Sequence, residues 1–175
     1  MIDLNLQIEK EKFLKWQFFI LTVSASFSRA TIYNSDVDNK TKEEFKKHLF
    51  NSLEQLSEHY KSEVSEERHI SIISDFIEYS TIYKDILQGE MLRYGVAQKM
   101  VNLYFKYLWC AGFISNTPKH FPLDRIIQKG TKVISWTQLT EDRDVEYLDK
   151  LNELCSRTDK AEWELREYNK QFYNL

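Results

Sequence analysis

Glycine and proline are scarce: four and two in 175 residues, against averages of roughly 7% and 5%. That shortage excludes a fold of many hairpins, because the turns joining short strands draw heavily on both residues. The four glycines (89, 95, 112 and 130) are also dispersed, so the chain has no Gly-rich phosphate loop. Cys110 and Cys155 lack the spacing of a metal knuckle or a redox pair; this excludes a disulfide framework and suits a reducing, cytoplasmic setting. Histidines 48, 59, 69 and 120 form no HxH, HExxH or His/Cys ligand set, so neither a metal nor a cofactor is expected. A nucleophile elbow of the GxSxG type is missing too. The longest uncharged stretch near the N-terminus, 16 to 28, contains Gln17, Thr22, Ser24, Ser26 and Ser28. It is too short and too polar to span a bilayer. "FFILTV" followed by "SASFS" imitates a signal peptide, but Asp3, Glu9 and Glu11 precede it. An amphipathic first helix is the expected reading.

Aromatic residues are abundant: eleven Phe, ten Tyr and four Trp. Together with charges interleaved among Leu and Ile, they point to an all-α fold, a single helical domain over residues 1–175. About six or seven helices with little or no sheet are expected. A chain this long buries about two-thirds of its unfolded surface without cross-links. The first helix, 8 to about 31, carries Phe13, Trp16, Phe19, Ile20, Val23 and Phe27 at three- and four-residue steps, the spacing of an inward face. "NSDVDN" ends it, and a second helix starts at 39–41 with the stripe Phe45, Leu49, Leu53 and Leu56. Ser65 caps a third, with Glu66 and Glu67 in its first turn and Gly89 as its stop. A fourth runs from 90 to about 111. "PLDRIIQKG" has the form of a short helix with Pro122 in its first turn, and "TKVISW" that of an extended connection. Thr140 caps a helix faced by Tyr147, Leu148, Leu151 and Leu154. Trp163, with Leu165 or Phe172, anchors the last one.

The fourth helix poses the main question. In "YGVAQKMVNLYFKYLWCAGFI" the residues Tyr94, Gln98, Asn102 and Lys106 recur every four positions, with Lys99 beside them, in otherwise apolar company. A buried amide or ammonium needs a partner, because leaving it unsatisfied costs about one to several kcal/mol. Neighbouring backbone, acids such as Asp124 or Glu164, or a ligand in a cleft could each serve. Asp124 follows Pro122 at the start of a short helix, where a carboxylate caps amides.

The net charge of −3 is unevenly spread. Residues 90 to 135 carry seven Lys/Arg and two acids, whereas both flanks are acidic. A locally basic middle meets phosphate or an acidic partner, or else faces the acidic flanks within one fold.

The words "GVAQKMVNLYFKYLW", "FPLDRII", "WTQL" and "AEWELREYN" resemble a widespread bacterial family with a glycine, then AQK, N and KYLW, a PxDxII element and a late EWE. The likeness covers residues 95 to 167 and implies no established activity. A second likeness is to helix-hairpin-helix DNA glycosylases, in which a lysine after a glycine turn and a downstream aspartate form the site. Gly95, Lys99 and Asp124 match in order, but only one glycine stands where the DNA-gripping hairpin has two or more, and no cluster-binding cysteines follow. That resemblance implies Lys99 as an amine nucleophile and Asp124 as its charge stabiliser and proton acceptor.

Three functional expectations follow. In the leading one the protein binds nucleic acid or another phosphate-rich ligand through Lys106, Lys119, Arg125, Lys129 and Lys132. Trp136 offers a stacking face, and Gln98, Asn102 and His120 edge the site. The second is a protein-interaction module, a homo-oligomer or an inhibitor of a larger enzyme, anchored by Trp109 or Trp163. The third is the glycosylase-like enzyme. No membrane partner is expected.

Overall fold

The computed structural model describes residues 4–139 and 144–173. Six α-helices follow in chain order: α1 (Leu4–Phe27), α2 (Asn39–Ser57), α3 (Glu66–Ser80), α4 (Tyr94–Cys110), α5 (Asp144–Leu154) and α6 (Lys160–Tyr173). Short 3₁₀ segments at Glu58–Lys61, Thr81–Ile86 and Trp136–Gln138 join or extend them. Among the described residues there is no strand, only an isolated antiparallel bridge between Tyr33 and Leu87. The all-α single-domain expectation holds.

Local chemistry explains most of the boundaries. Asp38 caps α2 by accepting the Thr41 amide at 2.9 Å, and Ser65 caps α3 by accepting the Arg68 amide at 3.2 Å. Glu90 does not open α4, because Gly89 and Glu90 both have positive φ and turn the chain before Tyr94. The helix stops where Gly112, at φ 76°, lets Phe113 N–H reach back to the Leu108 carbonyl. The helix expected over "PLDRIIQKG" does not form: residues 125–130 are successive turns. Asp124 still caps there, accepting the amides of Ile126 (2.8 Å) and Ile127 (3.3 Å). The expected cap Thr140 and the side chain of Phe172 lie outside the described residues.

α4 is the central element, with thirteen of its seventeen residues buried. Helices α1 and α3 pack against it, and α2 packs on α3. Burying most of the helix surface is what its nearly continuous apolar sequence requires. Tyr104 on α4 donates to the Glu54 carboxylate of α2 at 2.5 Å, and Lys15 of α1 holds the other oxygen at 2.8 Å. One acid thus ties three helices together.

The orientation of α1 differs from its expected face. Phe19, Thr22 and Ser26 are buried, while Phe13 and Ile20 are 63% and 44% exposed. Large apolar residues lie on both sides of this helix, so periodicity alone does not select the buried side.

Candidate functional site

The polar stripe of α4 is distributed over three sets of partners. Gln98, fully buried, grips the backbone of Leu123 at both ends: its Nε2 donates to the Leu123 carbonyl (3.0 Å), and its Oε1 accepts the Leu123 amide (3.2 Å). This fixes the 121–124 segment along α4. Asn102, also fully buried, donates to the Phe121 carbonyl (3.2 Å) and to the Tyr147 hydroxyl (2.9 Å), and its Oδ1 accepts from His69 Nε2 (2.8 Å). Their hydrogen-bonding capacity is used within the protein.

From Asn102 a directed chain of hydrogen bonds runs both ways through the core. Tyr60 donates to His69 Nδ1 at 2.7 Å, which leaves His69 the proton on Nε2 that it gives to Asn102. Tyr147, having accepted from Asn102, donates to His120 Nδ1 at 3.2 Å, and His120 Nε2–H donates to Glu66 at 3.0 Å. Lys160 reaches the same Glu66 oxygen at 2.9 Å. Every donor meets an acceptor with both histidines neutral, and burial lowers the pKa of each. Glu66, at the surface end, has its pKa pulled down to about 2 by the hydrogen bonds from His120 and Lys160. His69 was not singled out in the sequence, although His69, Ile72, Ile73 and Phe76 share one core-facing spacing on α3.

Lys99 and Lys106, two turns apart on α4, face a groove of about 380 Å³ between α4, the 122–127 segment and α6. The structure brings Lys99 and Asp124 together at 3.3 Å, and Lys106 meets Glu164 of α6 at 2.7 and 3.0 Å. Each ammonium also lies over an aromatic ring: Lys99 is 4.5 Å from the Trp136 centroid, and Lys106 is 4.8 Å from that of Tyr168. Burial lowers the pKa of Lys99, opposed by Asp124; burial raises that of Glu164, opposed by Lys106. Cys110 is exposed at the end of α4 rather than enclosed, and partial burial still pushes its thiol up.

The positions expected to touch a ligand therefore separate. Trp136 is 4% exposed, with its ring facing Lys99. His120 is buried within the hydrogen-bonded chain, and Lys106 is 8% exposed inside its ion pair. Lys119 is half-buried and lies 3.9 Å from Glu63. Arg125, Lys129 and Lys132 are exposed and make no ion pair among the described residues. With Ile126, Gly130, Val133 and Gln171, the first two line a shallow concavity of about 670 Å³. Trp109 and Trp163 are both partly buried against the core.

Among the described residues, no group of three or more His, Cys, Asp or Glu side chains could hold a metal ion. No helix there is long and apolar enough to cross a membrane. Fold and site together define an all-helical domain with an internal polar network and one exposed basic turn segment. Compared with protein-family models, curated proteins and solved structures, the chain matches none.

Proposed function

We propose that this is a binding protein whose turn segment 125–132 contacts the phosphates of a nucleic acid or a similarly phosphate-rich ligand. The observation that carries this reading is the grouping of Arg125, Lys129 and Lys132, exposed and unpaired among the described residues, beside a concave surface. Cations held in internal ion pairs give phosphate little, since their charge is already compensated. Lys106 is thereby removed from the contact set, half-buried Lys119 beside Glu63 is set aside with it, and Trp136 leaves the stacking role. Arg125, Lys129 and Lys132 remain, without an ion pair among the described residues. Gln98 and the Asp124 cap hold the start of the segment that presents them, and Gln128, bonded to the Ile134 backbone, holds its end.

The base-processing alternative needs Lys99 as a free amine. Burial favours the neutral amine, but Asp124 at 3.3 Å and the Trp136 ring both hold the ammonium form. A substrate carbon would have to displace both, so the geometry favours a structural cation. Fluorescence anisotropy with short labelled DNA and RNA, for wild type and for Arg125→Glu/Lys129→Glu/Lys132→Glu, tests the binding reading. All three side chains are exposed, so the fold is expected to survive the triple change while binding is lost.

A further inference from the structure

α1 is 24 residues long, about 36 Å at 1.5 Å per residue. In its first part, residues 4–10 and 12–14 are all exposed. Along one side of the helix, Leu6, Phe13, Leu14, Ile20 and Leu21 are 52%, 63%, 40%, 44% and 52% exposed. Positions 6, 13 and 20 are seven residues apart, as are 14 and 21, so these side chains form one stripe, while Leu4 and Ile8, 71% and 41% exposed, lie on another side of the helix. Lys10 is the only charged residue between them on that side, with Gln17 and Ser24 beyond.

Four of the five stripe residues map onto one another about the 13/14 peptide, and Ile20 falls against Gln7. Reversing the helix about that point sets Leu6 against Leu21, Phe13 against Leu14, Lys10 against Gln17 and Gln7 against Ile20. A face that is self-complementary on reversal is what an isologous two-fold contact needs.

The apolar area comes close to what a specific contact needs. Five large side chains about half exposed leave on the order of 450 Å² of apolar surface per copy, and pairing two copies removes roughly 900 Å², against the ~1,000 Å² at which specific interfaces begin. Gln7, Lys10, Gln17 and Ser24 on the same side supply the remainder. We infer that α1 is a homodimerisation element, pairing antiparallel with α1 of a second copy about a two-fold axis at residues 13 and 14. The anchors are then Phe13 and Leu14, not Trp109 or Trp163. This inference is independent of the phosphate-binding surface.

Sedimentation equilibrium on the full chain is the test. Wild type is expected at twice the 21.1 kDa chain mass, with Phe13→Glu/Leu14→Glu at the single mass and an unchanged helical circular-dichroism spectrum. Both substituted side chains are solvent-facing within one chain, so loss of fold is not expected to confuse the result. In a Cys110→Ser background, a mixture of Lys10→Cys and Gln17→Cys chains should cross-link between unlike variants in preference to like ones. A wild-type monomer up to about 100 µM overturns the inference, since that ceiling already corresponds to a very weak pair. So does a dimer that survives the double substitution, or cross-linking between like positions. A monomer that instead floats with anionic phospholipid vesicles would assign the stripe to a lipid surface and overturn it as well.

Discussion

Replacing Lys106 by Met isolates the buried ion pair on which the α4–α6 contact turns. Lys106 and Glu164 keep only 10% and 5% of their side chains exposed, and Lys106 gives Glu164 two hydrogen bonds. Met conserves the stem's packing but removes the ammonium, leaving a carboxylate with burial unopposed. Breaking a buried pair from one side costs about 3–5 kcal/mol. The pH dependence carries the sharper signature. Burial already raises the pKa of Glu164 above its ordinary value, and the variant raises it further. A carboxyl whose folded pKa lies above its unfolded one binds more protons when folded, so its penalty grows as pH rises from about 4.5 and levels off above the folded pKa. Urea denaturation of K106M should therefore show a loss of about 3–5 kcal/mol at pH 7 that shrinks toward pH 5. The double variant K106M/E164L should recover most of it, because an apolar pair of similar volume replaces two buried charges. A loss under about 1 kcal/mol, independent of pH, would refute the reasoning, being the worth of a solvated surface pair.

Other consequences follow from the same geometry. A methyl at Gly95 would sit 1.5 Å from the Trp136 carbonyl oxygen, so G95A must push the 136–139 segment off α4. We expect a cost of about 1–3 kcal/mol or more, read as a lower Tm together with altered tryptophan fluorescence; an unchanged Tm would contradict the close approach. His69 and His120 are held neutral, with folded pKa values below 6.5. The unfolded chain therefore binds more protons below that pH, and stability falls by up to about 1.4 kcal/mol per pH unit for each histidine. Urea midpoints at pH 7.5 and 5.5 check this, and equal midpoints would count against the buried chain. Asn102→Leu removes the partner of His69 and a donor to Tyr147 and Phe121. It should destabilise by about 3 kcal/mol or more while leaving salt-dependent ligand binding of the folded fraction unchanged.

The helices were partly readable because capping chemistry is local: Ser65, expected to cap α3, does so within three residues of the helix start, whereas Asp38, the cap of α2, was passed over within "NSDVDN". The polar stripe of α4 was readable as a problem, since four polar residues at four-residue steps in apolar sequence demand partners. Asp124 and Glu164 were foreseeable as those partners from charge alone. His69 and Tyr147 were not, because the pairings 69–102 and 102–147 join residues far apart in sequence. The face of α1 was misjudged for a related reason. Phe13 and Ile20 fit an inward stripe as well as Phe19 does, and only the position of α4 decides between them. "PLDRIIQKG" carries helix-start signals that are satisfied without a helix, by an Asp124 cap and Gln128, whose amide bonds the Ile134 backbone at both its carbonyl (3.3 Å) and its amide (2.8 Å). Trp136 looked like a stacking face because sequence does not reveal that Lys99 lies beneath it.

Binding of labelled duplex and single-stranded oligonucleotides at 50 and 200 mM salt tests the central claim most directly. Three phosphate contacts correspond to a log–log slope of about −2.7 on duplex and about −2 on single strands, a weakening of roughly 40-fold and 20-fold over that range. The expected result is a salt response of that size, abolished in Arg125→Glu/Lys129→Glu/Lys132→Glu. Absence of binding at 50 mM, or binding that the triple variant retains, would contradict the claim.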